Sequence, residues 1–204
     1  MNQQDRFMLM FALGPVQPFI TQARKTRDLW IGSFLLSKLV EAAMDGIQGK
    51  FIFPARRRVE ETPDIPNKYV ALFKDLSEAQ TAATQSKQQI TERWRHICET
   101  VWQRVIASHG DEETLQIWKR QTGVDPKTHL VNLEALFEIY WAIVEYQETM
   151  SYGDWFEATE STLAARKRLR DFKAVEEPGE KSAISGEREV LRKSETSSRG
   201  IQEF

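Results

Sequence analysis

A single cysteine, Cys98, occurs in the 204 residues, so no internal disulfide can form and a disulfide-stapled fold is excluded. Proline and glycine are sparse, at 7 and 10, which excludes collagen-like repeats and a chain built mainly of flexible linkers. Neither sign of charge prevails: 28 Lys and Arg stand against 30 Asp and Glu, so no global positive field advertises nucleic-acid binding and any such site must be a local patch. There is no run of about 18 apolar residues and no charged-then-apolar leader, which predicts no membrane span and a cytoplasmic protein. Also absent are a Walker-type loop, a Gly-Gly-Asp-Asp sequence and a Ser/His/Asp order. What is present is 41% hydrophobic and 28% charged sequence, at a length where roughly 70% of the unfolded surface can be buried.

Arg6 to Leu13 is a short continuous apolar run ended by Gly14-Pro15, the pattern of a central strand buried on both faces. Val16, Phe19, Ile20 and Ala23 then recur at helical spacing, and Pro15 suits a first helical turn. A second helical stretch runs from Asp28 to Met44 and stops at Asp45-Gly46, with Gly32 and Ser33 permitting close approach of another backbone. Phe51 to Phe53 and Lys68 to Phe73 read as strands, and Ser77 to Ser108 as a long amphipathic helix with Ile90, Trp94, Ile97, Val101 and Val105 on one face. Glu112 to Arg120 is a further helix, Leu136 to Tyr146 a strand rich in aromatic and branched residues, and Trp155 to Leu169 a last helix. Past Val175 the chain is charged and poor in large apolar residues, which predicts a tail or an incomplete module. This order predicts an α+β, ferredoxin-like β-α-β-β-α-β sandwich with extra helices, its first and third strands central and its helices covering one face.

The sharpest chemical feature is Gly14 to Ile20, a strand end that becomes a helix N-terminus, where unpaired N–H groups and the helix dipole attract an anion and Gln17 adds an amide. The alternative is a tight turn that only packs helix on sheet. Arg24, Lys25 and Arg27 lie close to Trp30, a patch fit for a nucleic-acid backbone or nucleotide phosphates, with a solvated helix end and a core tryptophan as the plainer reading. Arg56, Arg57 and Arg58, and Arg166, Lys167, Arg168 and Arg170, are phosphate-contact candidates and equally ordinary as surface charge. His96, His109, His129 and Cys98 have no metal-ligand spacing, and His96 and Cys98 would project from different sides of a helix. Asp154, in a Tyr-Gly-Asp-Trp turn, reads as a helix cap.

The run Leu13-Gly14-Pro15-Val16-Gln17, then Phe19-Ile20, Ala23 to Trp30, Gly32-Ser33 and Leu35-Leu36-Ser37, resembles the large subunit of type III-B CRISPR effector complexes, the Cmr complex. Pro66 to Ala71 is similar to that family's Pro-Asn-Arg-Phe strand start, and Phe137 to Trp141 to its later aromatic strand. Leu163 to Lys167, Arg170 to Phe172 and Glu177 to Lys181 look like the approach to its zinc module. The resemblance implies a first palm-like (cyclase-like) domain over residues 1–172 and, over 173–204, a charged tail resembling the start of that module. It further implies membership of an RNA-guided antiviral complex, with other subunits, guide RNA and target RNA as partners, and ATP enclosed against a second palm. The contacting wall would be Gly14, Pro15, Val16, Gln17, Ile20, Arg24 and Ser33, while Arg24, Lys25, Arg27, Arg56, Arg57 and Arg58 are the RNA candidates.

Two departures shape the expectation. Ser182 and Ser185 stand where the family has a Cys-x-x-Cys pair, and neutral hydroxyls do not replace thiolates on structural zinc, so neither zinc nor a divalent metal is expected in this chain. The chain holds neither the second palm with its Gly-Gly-Asp-Asp metal site nor the HD-type nuclease domain of some members, so no catalytic residue is assigned and no cyclase activity is expected of this polypeptide alone. The alternatives are a simple RNA-binding module, which the doubly apolar first strand disfavours, and a protein-interaction scaffold in which the six tryptophans serve cores and subunit contacts.

Overall fold

Met8, Met10 and Ala12 alternate with Leu9, Phe11 and Leu13 along the first strand, and all six are buried to within 1%. A strand with both faces apolar must have packing on both sides, and it lies in the interior of the sheet. The structure, a computed structural model, describes residues 5–16, 25–54, 65–169, 178–181 and 188–191. In chain order it contains β1 (Phe7–Gly14), α1 (Thr26–Met44), β2 (Lys50–Phe53), β3 (Lys68–Phe73), α2 (Leu76–Val101), α3 (Glu112–Thr122), β4 (Glu138–Glu145) and α4 (Tyr152–Arg168). A π-helical turn, Trp102–Ile106, extends α2, and a short 3-10 turn, Leu133–Ala135, precedes β4.

The sheet order is β2-β3-β1-β4, with every neighbouring pair antiparallel. That is the split β-α-β arrangement read from the element order, with the first and third strands at the centre. β2 is an abbreviated edge: four residues, a register shift between Phe51 and Phe53, and Pro54 directly after it. A Cβ on Gly49 would lie 2.5 Å from Cζ of Phe73, so glycine is what lets that ring close the end of the core. Gly46, at a φ of 78°, turns the chain out of α1 where the Asp45-Gly46 stop signal stands.

Leu9, Phe11 and Leu13 face the layer formed by α1 and α2, with Tyr69, Ala71 and Phe73 of β3 on the same side. α2 buries Ala79, Ala82 and Ala83 in its first turns and Ile90, Trp94 and Cys98 further on, so small residues allow close approach to α1 and larger ones fill the space towards α3. Asp75 caps α2 by accepting from the Glu78 N–H at 2.8 Å, and Asp111 caps α3 by accepting from the Thr114 N–H at 2.8 Å. Each large side chain buried in this way contributes about 1.5–3 kcal/mol relative to exposure.

The expectation that helices cover one face is corrected. Met8, Met10, Ala12, Val70, Leu72 and Ala142 face a second, smaller core closed by Trp155 and Leu163 of α4. Trp155 is fully buried and its Nε1–H donates to the Val144 carbonyl at 2.9 Å, pinning α4 to β4. The cap of α4 is also reassigned: Ser151 is the N-cap and Asp154 its reciprocal partner three residues on, a capping box.

The expected tail is partly built into the domain. Lys181 bridges to Glu189, the Val190 N–H donates to the Glu180 carbonyl at 2.8 Å, and Leu191 packs against the larger core. Glu189 is buried and pairs with Arg120 of α3, while Gln121 Nε2–H donates to the Glu189 carbonyl at 2.6 Å. A buried carboxylate held by a guanidinium anchors the segment where large apolar residues are lacking.

Candidate functional site

The end of β1 is fixed by hydrogen bonds from the segment before β3. The Leu13 N–H donates to the Asn67 carbonyl at 2.8 Å, and Asn67 Nδ2–H returns a bond to the Leu13 carbonyl at 3.1 Å. Ser37 of α1 donates to the Ile65 carbonyl at 2.9 Å. Asn67 and Ser37 therefore position the strand end, a role that spacing alone did not reveal although both sit in the quoted motifs. Gly14 pairs with Glu138 of β4, the Gly14-Pro15 peptide is cis, and Val16 enters a helical conformation and packs on the larger core. A Cβ at Gly14 would meet its nearest atom at 3.8 Å, so crowding does not dictate glycine there.

At the start of α1, Lys25 is the N-cap residue in extended conformation with no side-chain cap, and Lys25 and Arg27 are both exposed. The Asp28 and Leu29 N–H groups bond back to the Lys25 carbonyl at 3.0 and 3.1 Å, and the N–H groups of Thr26 and Arg27, ahead of them at the helix end, have no partner among the described residues. Two cations at the positive end of a helix dipole oppose the dipole, and an anion at that end relieves both. Among the described residues Arg27 has one weak counter-charge, Asp28 at 4.0 Å.

Trp30 is 57% exposed, which overturns the reading of it as a core tryptophan. Its ring stacks on Phe34 with centroids 5.2 Å apart, and Lys38 Nζ lies 5.8 Å from the Phe34 centroid. Helical spacing of four residues sets these three in a row on the outer side of α1. Gly32 is buried and Ser33 exposed, so only the first meets the domain interior. Among the described residues no hydrogen bond or ion pair links Gly14, Pro15 and Val16 to Lys25, Arg27 and Ser33. Gln17, Ile20, Arg24, Arg56, Arg57, Arg58, Ser182 and Ser185 lie outside the described residues.

A cavity of about 300 Å³ opens beside β4 at the same end of the sheet, and of the described residues proposed for nucleotide contact, Gly14, Pro15, Val16 and Ser33, none lines it. Its wall includes Phe137, Glu138, Trp141, Lys87 of α2 and Arg166 of α4. Lys87 is paired with Glu134 at 3.2 Å, and Glu138 accepts from the Tyr140 hydroxyl at 3.2 Å. Arg166, one of the basic cluster noted in the sequence, has no ion pair among the described residues. Its neighbour Lys167 is half-buried, and burial and the Lys68 charge lower its pKa. Glu138 and Trp141 escaped sequence reasoning because an apolar strand pattern does not tell which edge stays open.

His96 is exposed and Cys98 buried, so they do project from different sides of α2. Burial pushes the Cys98 thiol up to about 12. Among the described residues no group of three His, Cys, Asp or Glu side chains is placed to hold a metal ion, and no helix is long and apolar enough to cross a membrane.

Residues 8–99 match the family model described as CRISPR-associated protein Cmr2, N-terminal. The CRISPR system Cmr subunit Cmr2 of Pyrococcus furiosus is 40% identical over 62 residues, which cover 28% of this chain and 7% of that relative. A chain in the cryo-EM structure of the type III-B Cmr-beta complex bound to cognate target RNA is similar over 89% of this chain and 26% of its own length, at 15% identity and a TM-score of 0.43. This chain thus spans a small fraction of the length of either.

Proposed function

We propose, from the premise that residues 8–99 belong to the N-terminal family of the CRISPR-associated protein Cmr2, that this chain is the first palm of a type III-B large subunit. In this reading it is a non-catalytic palm, and it supplies one wall of an ATP site whose other wall is a second palm. The observation that carries the reading is the start of α1, where an uncapped helix end, Lys25, Arg27 and the exposed Trp30 are presented together. Those groups fit a nucleotide: backbone N–H groups and cations take phosphate oxygens, and an exposed indole stacks on a base. Gly14, Pro15, Val16 and Ser33, with Gln17, Ile20 and Arg24, complete the proposed wall.

In this reading ATP, when bound, supplies the phosphates that these groups orient, and this chain contributes binding alone. Zinc does not fit the donor set, since Ser182 and Ser185 offer hydroxyls where thiolates would be required. The test is equilibrium ATP binding by the chain mixed with a matching second palm, against that palm alone. Tighter binding with the chain, lost in the Lys25→Glu, Arg27→Glu variant, is expected. Equal binding in both mixtures would end the nucleotide reading.

A second reading, RNA contact at the same patch, is favoured by the Trp30–Phe34 stack beside the exposed cations Lys25 and Arg27. It predicts binding of single-stranded RNA that weakens steeply with salt and with charge removal at Lys25 and Arg27 and at Arg56, Arg57 and Arg58. RNA binding that survives both sets of substitutions would sink it.

A further inference from the structure

The two edges of the sheet are built differently. β2 is short, bulged and followed by Pro54, all devices that discourage pairing by a further strand. β4 runs eight residues from Glu138 to Glu145 in unbroken register with β1, without proline or bulge. The Tyr146 N–H donates to the Arg6 carbonyl at 2.7 Å, which sets the phase of the antiparallel ladder. Even-numbered residues of β4 turn their backbone groups to β1, and Ile139, Trp141 and Ile143 turn theirs outward. Their outward N–H and C=O groups have no partner among the described residues, and they repeat about every 6.8 Å, the spacing an added strand would match.

The flanks of this edge carry specificity. The side chains of Ile139, Trp141 and Ile143 share the face of Leu13, Phe11 and Leu9, and Trp141 remains 37% exposed beside the 300 Å³ cavity. On the other face, at the Glu138 end, Arg166 lines that cavity without an ion pair, with Lys167 and Arg168 next to it. We infer that β4 is a docking edge for an extended segment of a partner polypeptide, apolar where it faces Trp141 and carrying a carboxylate opposite Arg166.

Charge decides against a second copy of this chain. The antiparallel register that joins all the outward residues pairs Ile139 with Ile143 and Trp141 with Trp141. It sets Val144 and Ala142 of the second copy beside Glu138 and Tyr140, and brings its Glu145, already paired with its own Arg6, opposite Phe137 on the face away from Arg166, so Arg166 gains no counter-charge. A heterologous strand alternating apolar and acidic residues satisfies backbone, cavity and guanidinium together.

The test uses the full chain and a synthetic twelve-residue peptide of alternating valine and threonine with a central glutamate, read by amide hydrogen exchange and by titration of binding. Slowed exchange at Ile139, Trp141 and Ile143 is expected, with affinity about fivefold above that of the peptide carrying lysine in place of glutamate. Arg166→Glu, an exposed substitution, should invert that preference, and N-methylation of the peptide's pairing amides should abolish binding. The inference is overturned by unchanged exchange with every peptide, or by a preference that Arg166→Glu leaves intact. Protection that rises with protein concentration alone would assign the edge to a second copy, and protection by a single-stranded RNA dodecamer but by no peptide would assign it to nucleic acid; either result also overturns it.

Discussion

Ser86 joins three elements through one hydroxyl. It lies 2.6 Å from the Tyr69 hydroxyl of β3 and donates to the Ala43 carbonyl at the end of α1 or to the Ala82 carbonyl of its own helix, at 2.8 and 2.9 Å. Both side chains are fully buried, and burial raises the Tyr69 pKa far above the ordinary phenol range, so the pair stays neutral. Ser86→Ala strands the Tyr69 hydroxyl in the core and should cost about 1–3 kcal/mol, whereas Tyr69→Phe removes donor and burial penalty together and should cost about 1 kcal/mol or less. Urea denaturation of the two variants checks the order, and a Tyr69→Phe loss larger than that of Ser86→Ala would refute the account. Cys98 gives a second residue-scale expectation. With its thiol pushed up to about 12 by burial, thiolate is scarce at pH 8 and alkylation should proceed only as fast as the chain opens. Rapid labelling of the native chain at pH 8 would contradict this. Neither role was legible beforehand, because a serine in an amphipathic helix and a lone cysteine look like surface and filler until the neighbouring elements are placed.

At the scale of elements, strands and helices were readable from apolar spacing and from their stops: Asp45-Gly46 after α1, the prolines around β2 and β3, Gly123 after α3. Periodicity could not reveal what fastens one element to another. The loop between Val124 and Val131 is an example, closed by a bridge between those residues and clipped to α2 by His129 Nδ1 at 2.7 Å from Glu99. The hydrogen bond from His129, aided by the Arg95 charge, holds the Glu99 carboxyl below its ordinary value of 4.5 although burial opposes it. A carboxylate depressed in the folded state binds fewer protons there than in the unfolded chain, so its contribution is present above pH 4.5 and fades as the pH falls below that value. Glu99→Gln should therefore lower the melting temperature at pH 7, and the gap to the parent should narrow as the pH drops from 5 to 3. A gap that stays constant across that range would show that Glu99 does not titrate through this contact.

For the whole molecule, the element order was enough to foresee a four-stranded sheet with β1 and β3 inside, yet not the helix on its second face. An amphipathic helix declares that it has an apolar side, and α4 shows only a modest one, Trp155, Thr159 and Leu163, which the order of elements alone does not assign to a face. The basic cluster at its end was legible as charge and became a feature only once β4 was placed beside it as the edge strand of the sheet among the described residues. The same topology gives β1 a double duty: Phe11 packs into the core under α1 and α2, Met10 into the core under α4, and the two are adjacent in the chain. One strand shared by two cores should make the domain unfold as a unit, because neither core survives loss of the strand that floors it. Phe11→Leu and Met10→Ala, on opposite faces, should each lower one common midpoint, by about 1–2 and about 2–5 kcal/mol respectively. The indole signals of Trp94 and Trp155 report the two cores separately, since the first lies in the larger and the second in the smaller. Their loss at the same urea concentration in parent and both variants is expected, and a Met10→Ala chain in which Trp155 disorders well before Trp94 would show that α4 and its core are a separate layer.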